Sequence, residues 1–228
     1  MDLSPEQIRN IVTYMVTLIA SVALHEWGHA FAATRLGDEL PRRQGRLTLN
    51  PMAHADPIGT LLLPLVSSVY AASGGGMGGF GWGKPVQTQP VRYTRRFSMA
   101  TGSAIVAIAG PLMNIVLALL VAVSHVLLLK FKVIAVSHPV NGALVTAVLM
   151  NFGLFFFNLL PTPPLDGGYV VARLVPTRFR ANYEKIAVYG PLVLFAFILI
   201  PTLGKVVSIP ARFCTAHVYE ALMMLVGR

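Results

Sequence analysis

Tyr14-Met-Val-Thr-Leu-Ile-Ala-Ser-Val-Ala-Leu-His25-Glu26-Trp27-Gly28-His29 asks one segment to be both greasy and reactive. Residues 8–34 are apolar apart from mild interruptions such as Thr13, Thr17 and Ser21. At about 1.5 Å per helical residue, such a run crosses a hydrocarbon core of about 30 Å. Near its C-terminal end stand two histidines four positions apart. On a helix that spacing means about 40° of rotation and one turn of rise, so His25 and His29 offer their imidazoles to one point and can share a metal ion. Glu26 is one residue on, placed to reach a metal-bound water without being a ligand. With six His and five Glu in the chain, chance yields this pattern roughly 0.003 times. The alternative, three groups hydrogen-bonded inside a helix bundle, is disfavoured because ionisable side chains at membrane depth are costly.

The rest of the composition agrees with a membrane setting. Of 228 residues, 55% are hydrophobic and 12% charged, with a mean hydropathy of +0.66, which fits a polytopic membrane protein. Asp2 and Glu6 open the chain and the first apolar run continues past position 30, unlike a removable signal peptide, so the first helix is expected to be retained. Cys214 is the only cysteine, which removes intrachain disulfides and thiolate zinc sites. The net charge of +9 belongs to helix ends facing anionic lipid; no basic patch lies on a soluble module, and no nucleic-acid partner is expected.

The expected fold is an all-α polytopic bundle of about four to six transmembrane helices. Residues 1–228 form one integral-membrane domain, with its core at 8–175 and a C-terminal span and amphipathic tail at 186–228. Arg46-Leu-Thr-Leu-Asn50 alternates like a short membrane-associated strand and stops at an Asn-Pro turn. Residues 57–72 are apolar but short, begin at Pro57 and contain Pro64; Gly74 to Gly83 hold seven glycines. A re-entrant segment over 57–83 is preferred to a full span, with a flexible loop as the alternative for the glycines. Further spans are expected within 99–129, over 140–160 and over 186–203, and the tail from Ile209 is expected to lie on a membrane face. With re-entry, twelve of eighteen Lys and Arg fall on the cytoplasmic side, as the positive-inside rule asks.

A catalytic zinc takes three protein ligands and keeps one position open. Most of the few carboxylates flank spans or lie among surface positions, which leaves Asp56 and Asp166. Asp166 follows Pro161, Pro163 and Pro164 and precedes Gly167 and Gly168. Broken backbone at membrane depth is tolerated only where protein or a wet cavity surrounds it, so Asp166 is the best third ligand. His54 either orders its loop, fills the fourth position or acts as a gate; the ordering role is preferred, and Asp56 is read the same way. His125, His138 and His217 lack companions at helical spacing.

His25-Glu-Trp-Gly-His29, Gly110-Pro-Leu-Met-Asn114 and Asn158-Leu-Leu-Pro-Thr-Pro-Pro-Leu-Asp-Gly167 resemble, in order, the three signature motifs of the site-2 protease family of intramembrane zinc metalloproteases. The resemblance spans about residues 20–175. It implies Zn2+ held by His25, His29 and Asp166, with Glu26 as the base and Asn158 contacting substrate backbone or the developing oxyanion. Asn114 enters through the second motif as a secondary site residue. Asn50-Pro-Met-Ala-His-Ala-Asp-Pro57 and Phe80-Gly-Trp-Gly-Lys-Pro85 are similar to a compact bacterial branch without PDZ or CBS domains, which implies a multi-pass protein of the bacterial inner membrane. The implied partners are a transmembrane protein substrate and the lipid bilayer, with homo-oligomerisation left open. An unwound substrate is expected to pair as an added strand with Arg46–Leu49 or the 74–83 tract. The rival reading is a non-proteolytic membrane-binding protein that keeps a structural zinc clamp; a metal transporter is weaker, since no second ligand station lies at membrane depth.

Overall fold

The computed structural model describes residues 3–73, 81–94 and 96–227 and, of Thr177, Ile198, Leu199 and Pro201, the backbone alone. Its helices are α1 (Pro5–Arg35), α2 (Leu40–Arg43), α3 (Leu63–Ala72), α4 (Met99–Lys130), α5 (Val140–Asn158), α6 (Asp166–Leu174), α7 (Thr177–Ala187), α8 (Gly190–Leu199) and α9 (Pro201–Val226). A π-helical turn over Pro57–Leu62 leads into α3. Three of them, α1, α4 and α5, are long and apolar enough to cross a membrane, and α8 with α9 makes a fourth such unit if the bent pair counts as one.

Local sequence explains the ends. Ser4 caps α1, accepting from Gln7 N while the Gln7 side chain returns to Ser4 N, which satisfies two of the donors a helix start leaves open. Pro5 at the first turn loses nothing, because its missing N–H has no partner there. Ser98 caps α4 by accepting from Thr101 N. The chain leaves α1 through Gly37 at φ +105°, a left-handed conformation that costs a glycine little. Helix α1 packs along α4, α4 along α5, and α9 along α5.

The strand expected at Arg46–Asn50 is not formed: the chain bends at Leu47 and Thr48 and is irregular on either side, and no strand exists among the described residues. The reason is competition for the backbone. Thr48 O accepts from His54 Nε2 at 2.8 Å, and with no neighbouring strand in reach the segment has no ladder to join.

Residues 57–72 run as the π-helical turn and α3, whose last carbonyl, Ala72 O, accepts from Gln7 Nε2 of α1 at 2.6 Å. The chain then comes back to where α3 began. Trp82 N donates to Gly59 O at 3.0 Å, and Thr60 Oγ1 donates to Trp82 O at 2.7 Å. Beyond, Thr94 N bonds Leu36 O at 2.6 Å and Gln44 bonds Gln87 at 2.8 Å, so residues 36–46 and 85–94 share one end of the molecule. Most of the glycine tract, residues 74–80, lies outside the described residues.

The C-terminal region departs from expectation. The span expected at 186–203 divides into the end of α7, the ten-residue α8 and the start of α9, with α8 and α9 bent by 75°. Pro191 and Pro201 withhold the backbone donors that one continuous helix would need. The tail from Ile209 packs along one side against the bundle. It belongs to α9, where Ala211 is buried with Ala118, Ala122, Val148 and Phe152, and Cys214, Val218 and Leu222 pack against them. Arg212, His217 and Glu220 are exposed, and so are Ile209, Phe213, Met224 and Leu225. Helices α4 and α5 thus cover one apolar strip of α9, while a second apolar set stays exposed.

Candidate metal centre

The first and third motifs meet although 140 positions separate Glu26 from Asp166. His25 Nε2 lies 3.1 Å from His29 Nε2. Asp166 Oδ2 lies 3.1 Å from His25 Nε2 and 3.4 Å from His29 Nε2. Among the described residues these three side chains form the group of His, Cys, Asp and Glu able to hold a metal ion.

The hydrogen bonds behind each imidazole decide which ring nitrogen is free. His29 Nδ1 lies 2.8 Å from Val106 O, a carbonyl that can only accept, so Nδ1 carries a proton and Nε2 is the lone-pair atom of the neutral ring. His25 Nδ1 lies 2.7 Å from Asn114 Oδ1. The orientation of that amide is fixed from behind, because Asn114 Nδ2 donates to Asn151 Oδ1 at 3.0 Å and to Ser21 O at 3.4 Å. Asn151 Nδ2 is in turn committed to Ala147 O at 2.9 Å. Asn114 Oδ1 therefore faces His25 as an acceptor, and His25 Nε2 also keeps its lone pair. Outer partners of this kind are what orient metal-binding histidines.

With both rings neutral, three lone-pair atoms thus converge at 3.1–3.4 Å, Asp166 Oδ2 among them. Such an arrangement needs positive charge among the three, which a metal ion supplies and which a proton on one imidazole supplies without it. The separations fit zinc. Bonds of about 2.0–2.1 Å in a tetrahedral shell place ligand atoms roughly 3.3 Å apart.

Backbone close to the site is kept bare. A Cβ on Gly110 of α4 would run into His29 Nε2 and lie 2.8 Å from His25 Nε2, so only glycine leaves that volume to the ligand atoms. Asp166 opens α6, and a Cβ on Gly167 would run into Leu159 O, which lets the proline-rich loop fold back onto the first turn and aim the carboxylate inward. Tyr183 of α7 steadies that turn by donating to Gly168 O at 2.6 Å.

The three groups open into a cavity of about 760 Å³, whose walls include Glu26, Asn158, Trp82, Val86 and Tyr93. Glu26 is buried, and its Oε2 accepts from Val86 N at 3.2 Å. Asn158 lines the cavity with its amide nitrogen turned back to Leu154 O at 2.9 Å. Burial pushes the Tyr93 hydroxyl above the ordinary tyrosine range, so it stays a protonated donor at the cavity edge.

The remaining candidates lie elsewhere. His54 is fully buried and committed to Thr48 O rather than to the metal group. Asp56 caps the π-helical turn, accepting from Ile58 N at 3.0 Å and Gly59 N at 2.6 Å. His125 is buried between α4, α5 and α9, bonded to Asn141 Oδ1 at 3.0 Å and Tyr219 at 2.9 Å. Sequence reasoning missed Asn151, although an Asn seven residues before Asn158 in an apolar helix was a signal that something must satisfy its amide.

The model of peptidase family M50 matches residues 130–201. A Bacillus subtilis protein that carries the name "Putative zinc metalloprotease YwhC" is 36% identical over 205 residues, which is 88% of this chain and 86% of that one. Proteins bearing the same style of name, Rip2 of Mycolicibacterium smegmatis and of Mycobacterium tuberculosis, are 34% identical over 192 residues and 33% over 196, each covering 82% of this chain and 66% of the relative. No solved structure matches this chain.

Proposed function

We propose that this chain, which belongs to the zinc metalloproteases of peptidase family M50, is of site-2 type and hydrolyses peptide bonds within or beside the membrane, in a transmembrane protein substrate. The observation that carries the proposal is the convergence of His25 Nε2, His29 Nε2 and Asp166 Oδ2 beside Glu26 at the wall of an apolar-lined cavity.

His25, His29 and Asp166 hold the zinc in this reading. When bound there, zinc polarises a scissile carbonyl and acidifies water. Glu26 takes the proton from the attacking water and hands it to the departing amine, a transfer that suits a carboxylate adjacent to, but outside, the ligand set. Asn158 lines the same cavity and supplies a polar group for the substrate backbone or the oxyanion. A helical substrate hides its carbonyls in its own hydrogen bonds and has to be unwound first. Of the expected edges, Gly81 and Gly83 border the cavity, which supports pairing there with the unwound stretch as an added strand.

The rival, a structural zinc clamp in a non-proteolytic protein, would more often close the metal with a fourth protein ligand. Against it, no fourth His, Cys, Asp or Glu joins the three among the described residues. The deciding experiment is proteolysis of a purified single-span substrate with and without chelator. Cutting that stops on chelation and returns with added zinc is expected; a purified, zinc-loaded protein that never cuts any single-span substrate would leave the clamp standing.

The same reading puts the protein in a bacterial inner membrane, with residues 57–83 entering and leaving from the cytoplasmic side. The shared end of residues 36–46 and 85–94 supports this, as does the positive-inside count. Single cysteines replacing the exposed Arg43 and Arg92 in a Cys214→Ser background should both react with an impermeant thiol reagent from the cytoplasmic side alone. Labelling of one from each side would show a complete crossing.

A further inference from the structure

Residues 82–89 form no regular structure, yet an unusual share of the protein's buried polar groups is spent on their backbone. Thr60 donates to Trp82 O at 2.7 Å, Arg46 donates to Pro85 O at 3.1 Å, Glu26 accepts from Val86 N at 3.2 Å and Asp38 accepts from Gln89 N at 2.5 Å. Each of these four side chains is less than a tenth exposed. Two backbone carbonyls add to the set, Gly59 O bonding Trp82 N at 3.0 Å and His54 O bonding Lys84 N at 2.8 Å. Taking polar and charged groups out of water is costly unless each is satisfied. Here the compensation goes to one extended segment rather than to a helix or a sheet.

The segment touches the candidate site at one hydrogen bond, Val86 N to Glu26 Oε2. It is allowed in so close by Gly83, whose Cβ would lie 2.6 Å from Val22 Cγ1 and 3.0 Å from Glu26 Oε1. Glu26 has several rotatable bonds and sits at a cavity wall, so without a fixed donor its carboxylate can turn away from the metal group. Holding Oε2 leaves Oε1 as the oxygen free to meet a water.

We infer that residues 82–89 are a strap whose Val86 amide positions the Glu26 carboxylate for proton transfer, and that Asp38, Arg46 and Thr60 are positioning residues that act through the strap. The buried loop around His54 gains a role on the same grounds. His54 donates its Nε2–H to Thr48 O, which shapes the loop so that its own carbonyl meets Lys84 N.

This inference rests on Glu26 being the base, but the contact itself is tested without any cleavage. In residue-resolved hydrogen exchange on the full chain in nanodiscs, the Val86 amide is expected to be protected in the wild type and to lose about tenfold or more of that protection in Glu26→Ala, while the Lys84 amide keeps its own. Unchanged protection at Val86 overturns the contact. Protection lost at Lys84 as well means that Glu26 holds the strap instead of being held by it, and overturns the direction of the inference. In the proteolysis assay, Val86→Pro, which has no N–H, should lower kcat by about tenfold or more at unchanged zinc content with KM moving less, and Val86→Ala, which keeps the N–H, should recover most of that loss. An equal loss in Val86→Ala, or no loss in Val86→Pro, overturns the positioning role. Should Val86→Pro fail to fold, the exchange experiment still decides, and the Glu26→Gln assay separately reports whether Glu26 is the base.

Discussion

Glu26→Gln is expected to cut the rate of proteolysis by about 100- to 10,000-fold, the range general acid–base groups contribute. The substitution is nearly isosteric. Its amide oxygen can still accept from Val86 N, the strap keeps its anchor, and the zinc-holding group is untouched because Glu26 is not part of it. What disappears is the capacity to accept a proton, so KM, zinc content and melting temperature should stay close to wild type while kcat collapses. Single-turnover cleavage of a single-span substrate by zinc-loaded protein is the measurement. Cleavage by Glu26→Gln at the wild-type rate would end the mechanism proposed above.

Asp166→Ala should empty the metal centre. A three-ligand site keeps an open position for water, so removing one ligand leaves two imidazoles and solvent, too few for tight zinc retention. Purified wild type should contain about one zinc per chain, and Asp166→Ala, His25→Ala and His29→Ala far less, whereas Glu26→Gln should match wild type. Asn114→Ala belongs between these extremes. It leaves all three ligands but removes the acceptor that fixes the His25 ring, and losses of about 10–100-fold in metal affinity are usual for outer partners of this kind. Metal analysis after graded chelator competition separates the three classes. Full zinc retention in Asp166→Ala would take Asp166 out of the site. Attention would then move to other carboxylates, since His54 and Asp56 are committed to their own loop.

Much of the site was legible because its chemistry is written in local spacing. Two histidines at positions i and i+4 meet wherever the chain is helical, and α1 is helical over its whole apolar run. The prolines before Asp166 and the glycines after it announce a broken helix, which the structure shows as the start of α6 folded against Leu159 and Leu160. Other patterns did not fix where their residues would pack. Ile209 onward is amphipathic, but such a pattern says only that apolar residues want cover, and Ala211 finds it against α4 and α5 while Ile209, Phe213 and Leu225 stay exposed. Arg46 to Asn50 alternates like a strand, yet alternation without a partner makes no ladder.

From sequence alone came the features whose causes lie within a few residues: the apolar helices, the paired imidazoles and the carboxylate at a broken helix. These depend on the helical repeat and on backbone rules, which need no distant partner. Tertiary structure alone decided which polar groups answer one another across the chain. Val86 N reaches Glu26 over 60 positions, Asn114 reaches His25 over 89, and His125 reaches Tyr219 over 94. No spacing rule links such residues. Each is satisfied only once packing has brought α1, α4, α5 and α9 together and shut water out, because it is burial that makes an unpaired polar group costly enough to fix its partner.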